Sequence, residues 1–402
     1  MQQERRMRKA IQTIVILGSI MGGIANADAI SDLQGSVDNL ADNIARDVAN
    51  RWQLKGDFRF RNENIDQDFT AASRNRDRIR VRVGATALVN PTVKAEIQFA
   101  TTENGDARST NQTLTDANSH KALDLDLAYV EWSPNAMAKV TLGKMKQPWA
   151  KTSSLFVDGD INPEGAAVAL NLASLGLFAN VYAMDLAERS TTVDSKMVGA
   201  QAGLRKKVTD DISLLAAAGI FNHNAVKNQA VIQSGSAGGF FGNTTKTVGC
   251  ATGVTPCLAN DFDVVDVLAE VTAKVAGHPV VVFVEYAKNQ EAAVLNEALA
   301  YGVTLNKASL PGSWEVGYLN QKIEKDALFG QWVDSDFGAG NTDSKGHVVR
   351  GAYQVAKNWK VNATYFINET NNDIAVAVTY PTAKSVKDRG YDRLQIDLNY
   401  AF

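Results

Sequence analysis

Cysteine and histidine are scarce in this chain: two Cys and four His among 402 residues. Two cysteines exclude a disulfide-framework fold and any Cys-rich zinc or iron–sulfur module. His120, His223, His278 and His347 fall in different loops or turns or at a strand end, without metal-type spacing. No Gly-x-Ser-x-Gly elbow is present, so a Ser/His hydrolase would have to assemble its triad from distant strands. No catalytic residue, metal or cofactor is expected. An excess of one charge sign is also missing: 41 Lys and Arg against 44 Asp and Glu give −3, which excludes a nucleic-acid binder. Long apolar runs are absent except at the extreme N-terminus, and mean hydropathy is −0.17, so a bundle of membrane helices is excluded.

The N-terminus has what the rest lacks. Arg5, Arg6, Arg8 and Lys9 precede the apolar run from Ala10 to Ile24, and Ala25-Asn26-Ala27 supplies small residues at a cleavage site. Residues 1–27 therefore read as a secretory signal peptide, with an uncleaved anchor as the alternative that the short run disfavours. Its removal takes four basic residues and one acidic residue, which moves the formal charge from −3 to −6. Within 28–51, Ile30, Leu33, Val37, Leu40 and Ile44 step by three and four, one face of a short amphipathic helix with heptad spacing. Barely two heptads cannot stand alone. The helix either forms a coiled-coil seam with other copies or rests on the main domain.

From Trp52 onward the period is two. Leu394, Ile396, Leu398, Tyr400 and Phe402 alternate with polar residues, as do Ile79, Val81 and Val83 with Arg78, Arg80 and Arg82. One greasy and one wet face is the mark of a strand. Sixteen such segments fit residues 52–402, most of about ten residues, the length of a tilted strand crossing a bilayer. Short turns such as Asn90-Pro91, Ser133-Pro134-Asn135 and Lys357-Asn358 alternate with longer polar segments, among them 103–121, 147–163, 223–261 and 324–345. That alternation is expected of a transmembrane antiparallel β-barrel with both termini periplasmic. A soluble sandwich supplies no reason for it. The region 287–306 has the least regular alternation of the sixteen.

Phe402 as last residue, with Tyr400 and Leu398 on the same face, resembles the C-terminal signal of outer-membrane barrels. Arg76 to Arg82 (RDRIRVR), Gly143 to Pro148 (GKMKQP) and Asp160 to Gly165 (DINPEG) resemble segments of the family labelled putative porins. The resemblance covers nearly all of 28–402 and implies a diffusion channel, trimeric, in a Gram-negative outer membrane, with lipid and lipopolysaccharide around it. It implies no particular solute.

In a barrel the polar parity faces the lumen. This places Arg59, Arg61, Arg78, Arg80 and Arg82 on neighbouring strands, with Lys94, Glu96, Asp124 and Asp126 on the next ones. Like charges at cross-strand distance repel. The cluster is either a wall network neutralised by Asp57, Glu96, Asp124 and Asp126, or a ring of charge that sets selectivity. The loop 147–163 holds the ordinal position at which general porins narrow their channel, and this resemblance would make Asp158, Asp160 and Glu164 an acidic finger opposite the arginines. An ordinary surface loop stiffened by Pro148 and Pro163 is the alternative. Asp158-x-Asp160-x-Asn162 starts like a calcium loop, but Pro163 and Ala169 replace the glycine and glutamate it needs; adventitious divalent binding is the most it allows. Cys250 and Cys257 in the longest loop suit a local disulfide better than a metal site, since no His or acidic cluster joins them.

The expectation is thus a signal peptide (1–27), a short helix (28–51) and an outer-membrane barrel (52–402) passing ions and small hydrophilic solutes with a mild anion preference. Its alternatives are a channel specific for an anion of the phosphate type and a structural or surface-recognition barrel with a blocked lumen.

Overall fold

Alternation of apolar and polar side chains makes a strand only where a neighbour takes its backbone hydrogen bonds, and here every long alternating segment finds two neighbours. The computed structural model describes residues 34–40, 51–68, 72–103, 105–153, 157–232, 239–370 and 389–402. Sixteen strands build the wall. They are β1 (Trp52–Gln67), β2 (Arg74–Asn90), β3 (Val93–Thr101), β4 (Leu123–Trp132), β5 (Ala138–Lys144) and β6 (Glu164–Leu172). Then follow β7 (Leu177–Ala187), β8 (Ser195–Lys207), β9 (Ile212–Asn224), β10 (Phe262–Val275) and β11 (His278–Asn289). The last are β12 (Glu297–Leu305), β13 (Trp314–Ile323), β14 (Ser344–Ala356), β15 (Trp359–Thr370) and β16 (Arg389–Ala401). Each strand pairs antiparallel with the next, and β1 pairs with β16 from Asp57↔Ala401 to Gln67↔Tyr391, which closes the barrel. No edge is left to template aggregation. All sixteen expected strands are present, including Glu297–Leu305 from the least regular stretch.

The outer surface is apolar. Leu54, Leu142, Val168, Val181, Ile220 and Val282 are among its exposed side chains, as a wall facing hydrocarbon requires. Trp52, Trp132, Trp314 and Trp359 are exposed where strands meet the short turns, beside Tyr400 and Phe402, the position of an interfacial aromatic girdle. At the other end Lys144 and Glu164 (2.8 Å), then Asp185 and Lys196 (2.9 Å), make a row of outward ion pairs. On β8 the outward residues between Lys196 and Lys206 are Val198, Ala200, Ala202 and Leu204. Ten steps at about 3.4 Å, tilted about 45°, rise about 24 Å, the height of an outer-membrane barrel's apolar band. No helix among the described residues is long and apolar enough to cross a membrane; the strands do the crossing. The chain end closes the seam, since Gly56 and Phe402 exchange both backbone hydrogen bonds (2.9 and 3.0 Å). The Phe402 ring lies against Gly56, where any Cβ would collide with it.

Two expectations need correction. Leu123, Leu125 and Leu127 alternate with Asp124 and Asp126 in the sequence, the pattern of one outward apolar face, but they do not share one. The β3–β4 register jumps from Gln98↔Leu127 to Phe99↔Leu125, so a β-bulge at Asp126 turns Leu127 fully inward while Leu125 stays exposed. Nor is the lumen side uniformly polar. Tyr182, Met184, Met197 and Phe221 point inward from β7, β8 and β9 and are buried under loops that fold into the barrel. A Cβ at Gly199 would run into the Tyr182 ring, so glycine there lets the ring lie flat against the wall. The signal peptide 1–27 lies outside the described residues; of the expected helix, 34–40 and Arg51 are helical and the rest lies outside them.

Candidate functional site

The inward faces of β1 and β2 meet in register: Arg59↔Arg80, Arg61↔Arg78, Asp57↔Arg82 and Glu63↔Arg76. Six guanidinium groups so close would repel, and carboxylates on the same and neighbouring elements offset them. Asp57 accepts from Arg80 Nε (2.9 Å) and Arg82 Nε (2.7 Å). Asp397 of β16 takes Arg61 in a two-pronged bond (2.7 and 2.8 Å). Arg78 bonds Glu103 (2.9 Å). Arg59 has the weakest compensation: Asp397 is 4.0 Å away, and its Nη2 donates to Asn111. Of the expected counter-charges only Asp57 pairs with these arginines. Glu96 takes Lys55 and the Tyr129 hydroxyl (2.9 Å). Asp126 accepts from Gln98 (2.6 Å) and Asn162 (2.7 Å). Lys94 and Asp124 each line a cavity, Lys94 toward the turns and Asp124 toward the loops.

The connection 145–163 folds inward, and the reason lies in its apolar residues. Trp149 packs on Tyr182 (5.1 Å between centroids), on Phe221 edge-on (5.4 Å) and stacks on Trp332 (6.4 Å). Each such contact contributes about 0.5–1.5 kcal/mol beyond the burial itself. Farther along, Thr152 and Ser153 direct two N–H groups and two hydroxyls at one oxygen of Glu285 on β11. The loop therefore crosses the lumen and is tied to the far wall.

Asp158, Asp160 and Glu164 do not act together as one finger. Asp160 lines a cavity with Arg82 and Asp57 and accepts from the Thr110 N–H (3.1 Å) and hydroxyl (3.0 Å). Asp158 is turned away from the arginines, because its own N–H is held by the Trp332 carbonyl (2.7 Å) and its carboxyl by the Ser335 N–H (2.8 Å). Burial, with the nearby Asp334 and Asp160 charges, pushes Asp158 well above the usual carboxylate range. Glu164 already belongs to β6, shares the outward parity of Val168 and Leu170, and pairs with Lys144 at the rim. Cys250 and Cys257 are joined by a disulfide beside the two-residue ribbon Thr245–Lys246/Cys257–Leu258.

A second connection, 324–343, fills the barrel from above. Trp332 and Phe329 join the apolar core beneath it. Asp336 reaches the wall, with Arg393 at 2.8 Å, Arg61 at 3.2 Å and Gln395 at 2.9 Å. Burial alone would raise its pKa, but Arg393 and Arg61 hold it well below the carboxylate range. Asp334 makes no ion pair among the described residues, and burial beside Asp336 outweighs the more distant Arg393 and pushes it up to about 6.

With one side filled by loops, the open space lies along β1–β5. From the loop end to the turn end it comprises cavities of about 370, 380, 470 and 590 Å³. The first and second share Asp106 and Ser109. The second and third share Asp126 and Asp160, and the third and fourth share Lys55, Lys146 and Gln147. Among the described residues no group of three His, Cys, Asp or Glu could hold a metal.

A closed sixteen-stranded barrel with a charged path beside inward-folded loops is the architecture of a porin, and comparison of the sequence with family models agrees. The model of the family described as Putative porin matches residues 64–247 and 243–402. The chain belongs to that family. It is an outer-membrane β-barrel of the channel-forming kind. Among solved structures, OprB of Pseudomonas putida in its high-pH structure superposes with a TM-score of 0.58 at 9% identity, covering 90% of this chain and 97% of that one. OmpF of Salmonella typhi, solved in complex with daunomycin, gives 0.51 at 11% identity, covering 87% and 97%. At such identities the likeness is one of fold. No curated protein matches the chain.

The residues that hold this porin's interior in place are largely ones the sequence reading passed over: Glu285, Asp336, Arg393 and Trp149. One signal was available. Large apolar residues on the inward parity of β7–β9, such as Tyr182 and Phe221, cannot face water cheaply and so demand an apolar cover from a loop.

Proposed function

We propose that this porin passes ions and small hydrophilic solutes by passive diffusion, with a mild preference for anions. The observation that carries the reading is the succession of four cavities, each sharing lining residues with the next, from the loop end to the turn end. Preference for anions is supported by Lys55, Arg82, Lys146 and Lys151 around the third cavity, against Asp57, Asp126 and Asp160. The chain is exported by the 1–27 signal, both termini lie in the periplasm, and the short helix 28–51 precedes the barrel on that side. Assembly as a homotrimer amid lipopolysaccharide and lipid follows from the family resemblance, and no catalytic step is assigned.

Conductance of the purified protein in planar bilayers tests the reading. Discrete steps are expected, with a zero-current potential in a KCl gradient that favours chloride. Replacing Arg80 and Arg82 by Gln should move that potential toward potassium. A second reading, a barrel with a blocked lumen, is favoured by one contact: Thr110 and Asp160 meet near Arg59, where the second and third cavities join. A folded protein that gives no steps would decide for it.

A further inference from the structure

The cavity nearest the loop end differs from the other three in its walls. Five arginines line it: Arg74, Arg76 and Arg78 from β2, Arg108 from the β3–β4 connection and Arg393 from β16. Three carboxylates face them, Glu103, Asp106 and Asp336. Glu63 lies behind, fully buried, with Arg76 and Arg393 on it. The cluster is left with one positive charge in excess.

Four of these guanidinium groups, all but the exposed Arg74, are fixed before any solute arrives. Arg108 is held by the Gly340 carbonyl (2.8 Å) and stands over the Phe241 ring at 3.6 Å. Arg393 is locked between Glu63 and Asp336. Arg78 gives one terminal nitrogen to Glu103 (2.9 Å) and the Asn111 carbonyl (3.0 Å), and its side chain is only 6% exposed. Yet its Nε has no hydrogen-bond partner among the described residues. A buried donor left unmade costs about 1–3 kcal/mol, and a shift of the side chain toward a bound acceptor would recover it. Ser109 and Ser335 add hydroxyls to the same space.

We propose that this cavity is a docking site for a phosphate-type oxyanion, either inorganic phosphate or a small phosphomonoester, taken up before passage. The donors converge from three elements, β2, β16 and the β3–β4 connection. A tetrahedral anion offers acceptors in those several directions, whereas a planar carboxylate or nitrate offers them in one plane only. About 370 Å³ is more than a bare phosphate fills, so a small organic group can accompany it. The wall separates the cavity from lipid, so the source is a solute and not a headgroup. The inference rests on the porin reading for access, though binding itself does not require conduction.

Calorimetric titration of the full-length protein in detergent with sodium phosphate tests it. Saturable binding is expected, weakened at least tenfold by Arg78→Gln and, independently, by Arg108→Gln, with sodium nitrate binding at least tenfold more weakly than phosphate. Heat-modifiable gel migration shows that each variant is folded; if one is not, the other carries the test. Absence of saturable phosphate binding, wild-type affinity in a folded variant, or equal affinity for nitrate would overturn the site. Chloride conductance without phosphate is measured in parallel. Channels that conduct but do not bind phosphate remove the site alone, whereas phosphate binding without conductance removes the diffusion reading and keeps the site.

Discussion

Truncating Glu285 to Ala should release the loop that crosses the barrel. In the folded protein one carboxylate oxygen accepts from Thr152 N (3.1 Å), Thr152 Oγ1 (2.7 Å), Ser153 N (3.0 Å) and Ser153 Oγ (3.1 Å). The hydroxyls can rotate toward water, but the two backbone N–H groups cannot leave without the loop. Two unmade bonds at about 1–3 kcal/mol each, less what water restores, cost about 3 kcal/mol. That is about a hundredfold in the ratio of docked to undocked loop. Trp149 remains packed on Tyr182 and Phe221, so the base of the loop stays in place and only its tip swings. Single-channel recordings should show a larger mean conductance with added flicker, and Glu285→Gln, which keeps an acceptor oxygen, should lie between Ala and wild type. Conductance and noise identical to wild type in Glu285→Ala would refute the tether.

Lowering the pH from 7 to 5 should tighten the 324–343 connection, because Asp334 is raised to about 6 and the docked state therefore binds its proton more strongly than the free loop does. The gain is ~1 kcal/mol over that interval; Asp158, also raised, acts in the same sense, and Asp336, held low by Arg393 and Arg61, loses its contribution only below the ordinary carboxylate range. Mean conductance should fall between pH 7 and pH 5, and a rise would show the sign to be wrong. Detergent-solubilised protein should run as a trimer by light scattering, and deletion of 28–51 reports whether the helix contributes; a stable monomer of the full chain would defeat the assembly.

The wall was legible in the sequence because lipid imposes a rule on every outward residue. Strand β16 shows it plainly, with Leu394, Ile396, Leu398 and Tyr400 exposed on one face and Arg393, Gln395 and Asp397 buried on the other. A bulge breaks the rule without a sequence mark. Leu127 reads as one more outward leucine, and only the register jump opposite Phe99 turns it inward. The acidic finger failed for a related reason. Counting from Pro148 cannot tell where the loop ends and β6 begins, and because the strand starts at Glu164 that side chain takes the outward parity. Inside the barrel no solvent imposes a period, so contacts such as Asp336 with Arg393, or Thr152 with Glu285, are set by loop shape.

The same interior explains why the preference proposed for a wall of five arginines is mild and not strong. Arg61, Arg78, Arg80 and Arg82 each have a carboxylate within 3 Å, so a passing ion meets dipoles whose fields fall off quickly, further screened by salt beyond ~10 Å. The exposed surplus is local. Arg80 and Arg82 share the single carboxylate of Asp57, which leaves one positive charge in a group of which Asp57 and Arg82 line the third cavity. Replacing both arginines by Gln therefore does more than delete charge: it frees Asp57 and turns the local sign from positive to negative. The resulting swing in zero-current potential should be about twice that of either single replacement, since each single variant only brings the group to neutrality.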